Sequence, residues 1–212
     1  MRHTTLVVFC ATLAAAPVAM AQKWEVGGAV GGSFFTSQTV TNPAGNVDAK
    51  FANGLTASAW VGNTTSRWGG ELRYDFRQGD MQLTQGGTKV TFGSQSHAVH
   101  YDVVYNAGGV EAKVRPFVAG GAGVILYRGT GTEVVYQPLG NIALLTKTTD
   151  LRPLISAGAG IKFHLSSRID FRVEVHDFMS PFPKEVIAPN FGSKVGGWLH
   201  DIVPMAALSV LF

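Results

Sequence analysis

Charged and apolar residues alternate strictly in several stretches of this chain. From Ile169 to His176 the odd-numbered residues are apolar, and the even-numbered residues are Asp170, Arg172, Glu174 and His176. A stretch starting at Gly70 repeats the pattern with four charged residues, Glu71, Arg73, Asp75 and Arg77. In a β-strand every second side chain points to the same face, so each stretch gathers acids and bases on one face. Such a face can pair its charges as ions, conduct ions or protons, or hold a metal.

The histidines are badly spaced for a metal site. His97 and His100 are three residues apart, so in a strand they point to opposite faces. His164 and His176 share a face, but they are separated by roughly 20 Å along it at about 3.3 Å per residue. We therefore expect neither a metal nor another cofactor. His164 and Ser166 are residue types that a hydrolase uses, but their place at a predicted turn favours a turn serine and a lumen histidine.

The alternating pattern also defines the elements that must position these charges. It marks eight predicted strands, at about residues 23–36, 51–62, 67–78, 94–106, 112–128, 151–165, 168–178 and 201–212. Short connections at residues 63–66, 107–111 and 166–167 alternate with long ones at residues 37–50, 79–93, 129–150 and 179–200. A barrel with tight periplasmic turns and long outer loops requires this alternation. The sequence therefore predicts an all-β fold, an eight-stranded antiparallel up-and-down transmembrane β-barrel.

The composition agrees with an exported β protein. With 26 glycines among 212 residues and only 15% charged residues, the chain is unsuited to long helices or to disorder. Residues 1–21 have a basic start, an apolar stretch and the site Ala19-Met20-Ala21, which predicts a cleaved signal peptide before a barrel domain of residues 22–212. The only cysteine, Cys10, lies in that segment, so we expect no disulfide. The net charge of +3 comes without a basic run, so we expect no nucleic-acid binding.

If the apolar faces contact lipid, the charged faces line a lumen that is just wide enough for side chains to fill. The predicted lumen charge network consists of Glu71, Arg73, Asp75, Arg77, Lys162, Asp170, Arg172, Glu174 and His176, and Glu25, His100, Asp102 and His164 share its side. The predicted pairs are Glu71 with Arg172, Arg73 with Glu174, and Asp75 with His176, and Lys162 is expected opposite or diagonal to Asp170 across the short turn. We interpret the network as an ion-pair plug that closes the lumen, and a polar channel or proton path is the alternative.

Glycines and aromatics give further expectations. The repeated Gly121-Ala122-Gly123 and Gly158-Ala159-Gly160 lie in predicted strands, where they would make room for large lumen side chains from elsewhere. Aromatic residues near the predicted strand ends suit the girdles at the two membrane interfaces. These residues are Trp24, Phe34, Phe51, Trp68, Tyr105, Tyr127 and Phe178.

The chain ends on an alternating strand whose one face carries Leu208, Val210 and Phe212. This end, the signal segment, the alternating strands and the Gly-Ala-Gly strands are the features of the resemblance. With them, the chain resembles the small eight-stranded outer-membrane barrels of Gram-negative bacteria, the OmpA and OmpX type. The resemblance implies a place in the outer membrane, in contact with its lipid and lipopolysaccharide. It also implies that Leu208, Val210 and Phe212 form a signal for the barrel-assembly machinery. We expect a monomer.

The long connection from Ser180 to Trp198 is the predicted place for specific contacts. Prolines stiffen it, and four apolar residues are candidate loop contacts: Phe182, Ile187, Phe191 and Trp198. Packing of this loop onto the barrel rim is the alternative. We expect a non-enzymatic barrel that acts through its outward loops in surface interaction or envelope integrity. Transport of a small solute, through the lumen or by a lateral route in the wall, is the alternative, and an enzyme that modifies lipid A is a remote one.

Overall fold

The computed structural model describes residues 24–63, 67–109 and 112–212, and the predicted signal peptide lies outside these residues. The described residues form fourteen strands: β1 (Trp24–Phe35), β2 (Gln38–Asn42), β3 (Gly45–Phe51), β4 (Gly54–Asn63), β5 (Trp68–Gln78), β6 (Met81–Gln85), β7 (Thr88–Phe92), β8 (Ser94–Asn106), β9 (Val114–Gly129), β10 (Ala143–Leu145), β11 (Thr149–Ser166), β12 (Ile169–Pro181), β13 (Ile187–Pro189) and β14 (Trp198–Leu211). No helix capable of crossing a membrane occurs among them.

Eight of these strands close into a barrel in the order β1-β14-β12-β11-β9-β8-β5-β4. Every neighbouring pair is antiparallel, and β1 closes the barrel by pairing with β14 on one side and β4 on the other. The predicted eight-stranded up-and-down barrel is therefore confirmed. The connections after β4, β8 and β11 are short in sequence, and all four long connections lie at the opposite end, which in such barrels is the extracellular end.

The alternation seen in the sequence separates the two faces of the wall. On β12, Arg172 is fully buried, whereas the neighbouring Val173 is 49% exposed on the outer surface. The outer surface of the other barrel strands is likewise apolar, with exposed residues such as Val30, Leu72 and Val103. Apolar side chains outside and charged side chains inside are the arrangement that a lipid-facing barrel needs.

The long connections were expected to be loops, but the structure shows that they contain strands of their own. Strands β2, β3, β6 and β7 form a four-stranded sheet above the barrel, and β10 pairs with β13 as a two-stranded ribbon. A tight turn joins β6 to β7 through Gly86 and Gly87, which both have positive φ. Phe51 ends β3 in this sheet, so the predicted strand 51–62 begins only at Gly54.

The extracellular sheet and ribbon have an apolar core of their own. Side chains from the sheet, the ribbon and the tops of barrel strands bury one another there, among them Val40, Val47, Leu83, Ile142 and Ile187. This core continues downward into the upper lumen, where Phe51 stacks on Tyr127 with ring centroids 5.1 Å apart. The loops therefore cap the upper end of the barrel.

One ladder of the barrel wall is shorter than its strands. The pairing of β11 with β12 ends at Ile155 opposite Met179. Above that point β11 pairs only with β9, and β12 pairs only with β14. Two positions higher, Pro153 lies on β11 and Pro181 lies on β12. Neither proline has an N–H group to continue the ladder. A seam therefore separates the upper ends of β11 and β12.

Glycines on the inner face make room for large lumen groups, as the sequence analysis expected. A Cβ atom at Gly158 would meet the His176 ring, and one at Gly160 would meet the Phe117 ring. At Gly121 and Gly123 the space is taken by Asp102 and His100. The absence of side chains at these positions allows a narrow barrel to hold bulky residues.

Adjacent glycines of β1 provide a matched test of this packing. Gly27 faces the Trp60 ring, whereas a Cβ at Gly28 would make only an ordinary contact with the Ser58 carbonyl oxygen at 3.5 Å. We predict that Gly27→Ala lowers the free energy of unfolding by about 1 to 3 kcal/mol through overpacking. Gly28→Ala should leave it unchanged or slightly raised. Urea unfolding in lipid vesicles measures both, and equal effects would contradict the packing described here.

Candidate functional site

The lower lumen is built around the guanidinium of Arg172 on β12. It contacts three carboxylates: Glu71 at 2.8 Å, Glu174 at 2.9 Å and Glu25 at 3.3 Å. The aromatic rings of Trp60 and Phe117 lie on it, with centroids 4.6 Å from its central carbon. Arg172 thus joins strands from opposite sides of the barrel, and its charge is surrounded by opposite charge and aromatic faces.

Arg73 on β5 forms the next level. Its Nη2 lies 2.7 Å from Glu174 Oε1, and its Nη1 lies 3.2 Å from His176 Nε2. Its guanidinium also lies over the ring of Trp60, 4.7 Å from the centroid. The structure therefore brings together Glu71 with Arg172 and Arg73 with Glu174, the two lower pairs that the sequence analysis named.

Opposite Arg73 in the β5–β8 ladder, His100 lies between two carboxylates. Its Nε2 is 2.8 Å from Asp75 and its Nδ1 is 2.9 Å from Asp102. Ser58 donates to Asp75 at 2.6 Å, and Ser156 donates to Asp102 at 3.2 Å. Because both ring nitrogens face carboxylate oxygens, a doubly protonated His100 satisfies both contacts.

One predicted pair is wrong. Asp75 pairs with His100 and not with His176, whose Nε2 faces Arg73. Lys162 lies opposite Arg172 in the ladder and therefore diagonal to Asp170, one of the two expected placements, and its ammonium reaches Glu25 at 3.0 Å. The shear of the barrel shifts strands along one another, so counting from strand starts does not give the level of a side chain.

Two other members of the predicted lumen charge network occupy its ends. Asp170 accepts a hydrogen bond from His164 beside the β11–β12 turn. At the upper end, the Nε of Arg77 lies 2.9 Å from Asp201, and its guanidinium covers the ring of Phe178 at 4.0 Å. All nine predicted members of the network are buried.

Several buried residues that were not predicted from the sequence complete the lumen. Arg115 on β9 and Asp201 on β14 are charged and buried. The alternation contained the signal for Asp201, because an outward Leu208 and Val210 require odd-numbered residues of that strand to face inward. Trp60 and Phe117 follow the same rule on their own strands.

Three aromatics assigned to the membrane girdles belong inside the protein. Phe51, Tyr127 and Phe178 are buried in the apolar core. Trp24, Phe34 and Trp68 are exposed on the outer wall at strand ends, as expected. Phe51 and Tyr127 lie at the level where the extracellular cap enters the barrel, so their strand-end positions face the cap and not lipid.

The predicted contact loop divides into buried and exposed residues. Phe182 is only 2% exposed and Ile187 is fully buried, so neither is free to contact an outside partner. Both pack into the core of the extracellular cap. Phe191 is 99% exposed, and Trp198 is half exposed near the barrel rim.

The structure adds an exposed apolar segment that the sequence analysis missed. Val134, Val135 and Tyr136 project from the connection between β9 and β10.

At the other end of the barrel, Leu208, Val210 and Phe212 are exposed on the outer wall of β14. The backbone of Phe212 exchanges two hydrogen bonds with that of Trp24.

The remaining candidates for chemistry have structural partners. His97 faces outward and bonds to the hydroxyl of Tyr74 at 2.8 Å, and Ser166 accepts from the backbone of Arg168 in its turn. In residues 24–63, 67–109 and 112–212, no three His, Cys, Asp or Glu side chains are grouped to hold a metal ion.

A double-mutant cycle tests the contact at the centre of the network. Arg172→Met should lower the free energy of unfolding by about 3 to 5 kcal/mol, because it leaves carboxylates buried without their main counter-charge. Adding Glu71→Gln should recover part of that loss. Arg168→Met, at an exposed turn arginine, should change stability by less than about 0.5 kcal/mol. Strictly additive losses at Arg172 and Glu71 would show that the two side chains do not interact.

Comparisons with known proteins agree with this geometry. The family described as "Outer membrane protein beta-barrel domain" matches residues 6–180. A search of the curated proteins found no match. The fold is similar to the crystal structure of Neisserial surface protein A (NspA), with a TM-score of 0.55 and 8% identity, over 90% of this chain and 97% of that one. It is also similar to OprG from Pseudomonas aeruginosa, with a TM-score of 0.60 and 13% identity, over 91% of this chain and 96% of that one. The chain therefore belongs to the outer membrane protein beta-barrel family and is a protein of the Gram-negative outer membrane.

Proposed function

We propose that this protein is a non-enzymatic outer-membrane barrel with a closed lumen that acts through its extracellular surface. The observation that carries the proposal is the filling of the lumen along its length. Arg172, Arg73 and His100 lie inside the barrel with their carboxylate partners, and the apolar cap lies above them. An ion that entered this lumen would have to separate buried ion pairs, which is costly.

The extracellular cap supports an interaction role. Four strands and a two-stranded ribbon give the outer loops a core, so the surface that they present is ordered. On that surface Phe191 and the segment Val134 to Tyr136 expose large apolar side chains to water. Exposed apolar groups on an ordered surface are typical of contact sites.

The membrane-facing partners follow from position. The apolar outer wall contacts lipid, and its upper edge contacts lipopolysaccharide. At the periplasmic end the exposed face of Leu208, Val210 and Phe212 is available to the barrel-assembly machinery.

The closed lumen predicts an electrical result. Purified protein inserted in planar bilayers should give no stepwise ionic conductance, because an ion would have to separate the buried pairs of the lumen charge network. Regular conductance steps at neutral pH would contradict the proposal.

The contact surface predicts a change in cell behaviour. Cells that display Val135→Ser with Phe191→Ser should attach to hexadecane droplets less than cells that display the wild type. Thr88→Ser, at an exposed polar residue of the same cap, is the matched control. Equal attachment of all three strains would overturn the contact role, with the amount on the surface matched by antibody.

A second candidate, lateral transport of an apolar solute, is favoured by the seam between β11 and β12. The seam lies beside the apolar core, because the inward-facing Leu154 and Phe182 behind it belong to that core. Its upper edge is bridged by a hydrogen bond from the Glu185 backbone N–H to Asp150 at 2.9 Å. A solute could pass from the core to the membrane here without crossing the charges below.

Closing the seam tests this candidate. Pro153→Cys with Pro181→Cys would be joined by a short bismaleimide, and the same variant treated with N-ethylmaleimide is the control. Lateral transport predicts slower uptake of an apolar dye by the joined protein alone. Uptake at the wild-type rate by both preparations would exclude a route through the seam. The wild-type rate is required because the two cysteines restore backbone N–H groups to the ladder.

A further inference from the structure

A row of hydrogen-bonding side chains crosses the outer wall at its extracellular edge. The barrel ladders place Gln78 of β5 opposite Gln95 of β8. They also place Gln95 and Thr149 of β11 on the two sides of Arg128 of β9. Residues directly opposite in an antiparallel ladder point to the same face, and here that face is the outward one. Gln78, Gln95, Arg128 and Thr149, here called the donor row, all carry N–H or O–H groups.

Arg128 is the exposed cation of the donor row. Among the lysines and arginines of the described barrel strands, it alone lies on the outward face. The outward carboxylate of the wall, Asp177, has His200 as its partner at 2.8 Å. Arg128, in contrast, makes no ion pair and no side-chain hydrogen bond within residues 24–63, 67–109 and 112–212. Its guanidinium donors are therefore available to a group outside the protein.

The height of Arg128 on the wall identifies the layer of the membrane that it meets. The outward residues of β9 are apolar from Val114 to Leu126, roughly 40 Å of strand at about 3.3 Å per residue. At the usual strand tilt this run rises about 30 Å, slightly more than the apolar band of about 25 Å. Arg128 is the next outward residue, so it lies among the lipid head groups. Phe76 and Leu151 face outward directly below the row, at the level of the acyl chains.

The charge around the donor row favours an anion. The row itself contains no acidic side chain. Asp80, the exposed acid that follows Gln78, lies two strands away from Arg128 in the barrel order. Glu133 of the next connection accepts a hydrogen bond from the backbone N–H of Lys147 at 2.8 Å. A negatively charged head group is therefore the complement of this part of the wall.

The donor row occupies one side of the barrel. On the other side, the extracellular ends of β4, β1 and β14 carry exposed Leu55, Phe34 and Trp198. Such residues suit acyl chains and the aromatic girdle at the membrane interface. A lipid head that needs several hydrogen bonds therefore has one preferred place on the outer wall.

We infer that the donor row binds the phosphorylated sugar head of lipopolysaccharide, the lipid of the outer leaflet. Guanidinium groups bind phosphate through two parallel N–H···O bonds. With Arg128 on the phosphate, the amide of Gln95 and the hydroxyl of Thr149 flank it and donate to neighbouring oxygens. The inference rests on the proposed function, in which the upper edge of the wall contacts lipopolysaccharide, and it assigns that contact to named residues.

Binding of defined lipids to the whole barrel tests the site. Native mass spectrometry of the protein in detergent would give the Kd for diphosphoryl lipid A and for the same lipid without its phosphates. The wild type should prefer the phosphorylated lipid. Arg128→Gln should raise the Kd for that lipid about tenfold, as expected for the loss of a charge-assisted hydrogen bond, and should remove the preference. Arg168→Gln, at an exposed arginine of the periplasmic end, is the matched control and should behave as the wild type.

Several results of this experiment would overturn the site. One is an unchanged Kd in Arg128→Gln, and another is an equal loss in both variants. Tighter binding of phosphatidylglycerol than of diphosphoryl lipid A would assign the row to a phospholipid and reject lipopolysaccharide. Heat-dependent gel mobility verifies that each variant is folded.

Photo-crosslinking in intact cells tests the same site in its own membrane. With p-benzoylphenylalanine in place of Gln95, illumination should yield an adduct that an antibody to lipopolysaccharide detects, and Arg128→Gln should reduce it. The same group in place of Val103, lower on the outward face of β8, should yield no such adduct. Adducts from both positions, or from neither, would contradict the inference. If these tests fail while hexadecane attachment still depends on Val135 and Phe191, the contact role stands and the lipid site does not.

Discussion

Charge pairing inside a narrow lumen is the constraint on which the rest of this structure depends. An eight-stranded barrel leaves room for side chains and little water, so each inward charge must find an opposite charge within reach. Arg172 of β12 meets Glu71 of β5 from across the lumen, and Lys162 of β11 meets Glu25 of β1. These contacts exist in one register only, because a shift of one residue would turn every charge toward lipid. The ion pairs of the lumen therefore favour this one register of the barrel strands over its alternatives.

The interior has two parts with different chemistry. Below, ion pairs and the rings of Trp60 and Phe117 fill the lumen. Above, the stacked Phe51 and Tyr127 belong to an apolar core shared with the extracellular sheet. Arg77 joins the two parts, since it pairs with Asp201 and lies over the ring of Phe178. With the interior occupied in both parts, the extracellular surface is the part of the molecule best placed to meet a partner.

Most of the barrel was predictable because strand alternation is a local property. Two residues such as Arg172 and Val173 reveal the two faces of their strand without knowledge of any neighbour. The partner of a lumen charge is not local, since it depends on shear, and His176 accordingly faces Arg73 and not Asp75. Burial within the loops is also non-local. Phe182 and Phe191 have the same residue type in one connection, yet one is buried and the other is exposed, because only Phe182 reaches the core between sheet and ribbon.

Thiol labelling of the lumen tests the closed interior most directly. Ser156 is a buried lumen residue that donates to Asp102, and cysteine is close to serine in size. The Ser156→Cys protein, folded in lipid vesicles, would be exposed to a charged, water-soluble thiosulfonate reagent, with Thr88→Cys as the accessible reference. The account predicts that Cys at position 156 stays unlabelled until the barrel is unfolded. Labelling of the folded barrel at the rate of the reference would show an open water path and contradict the account.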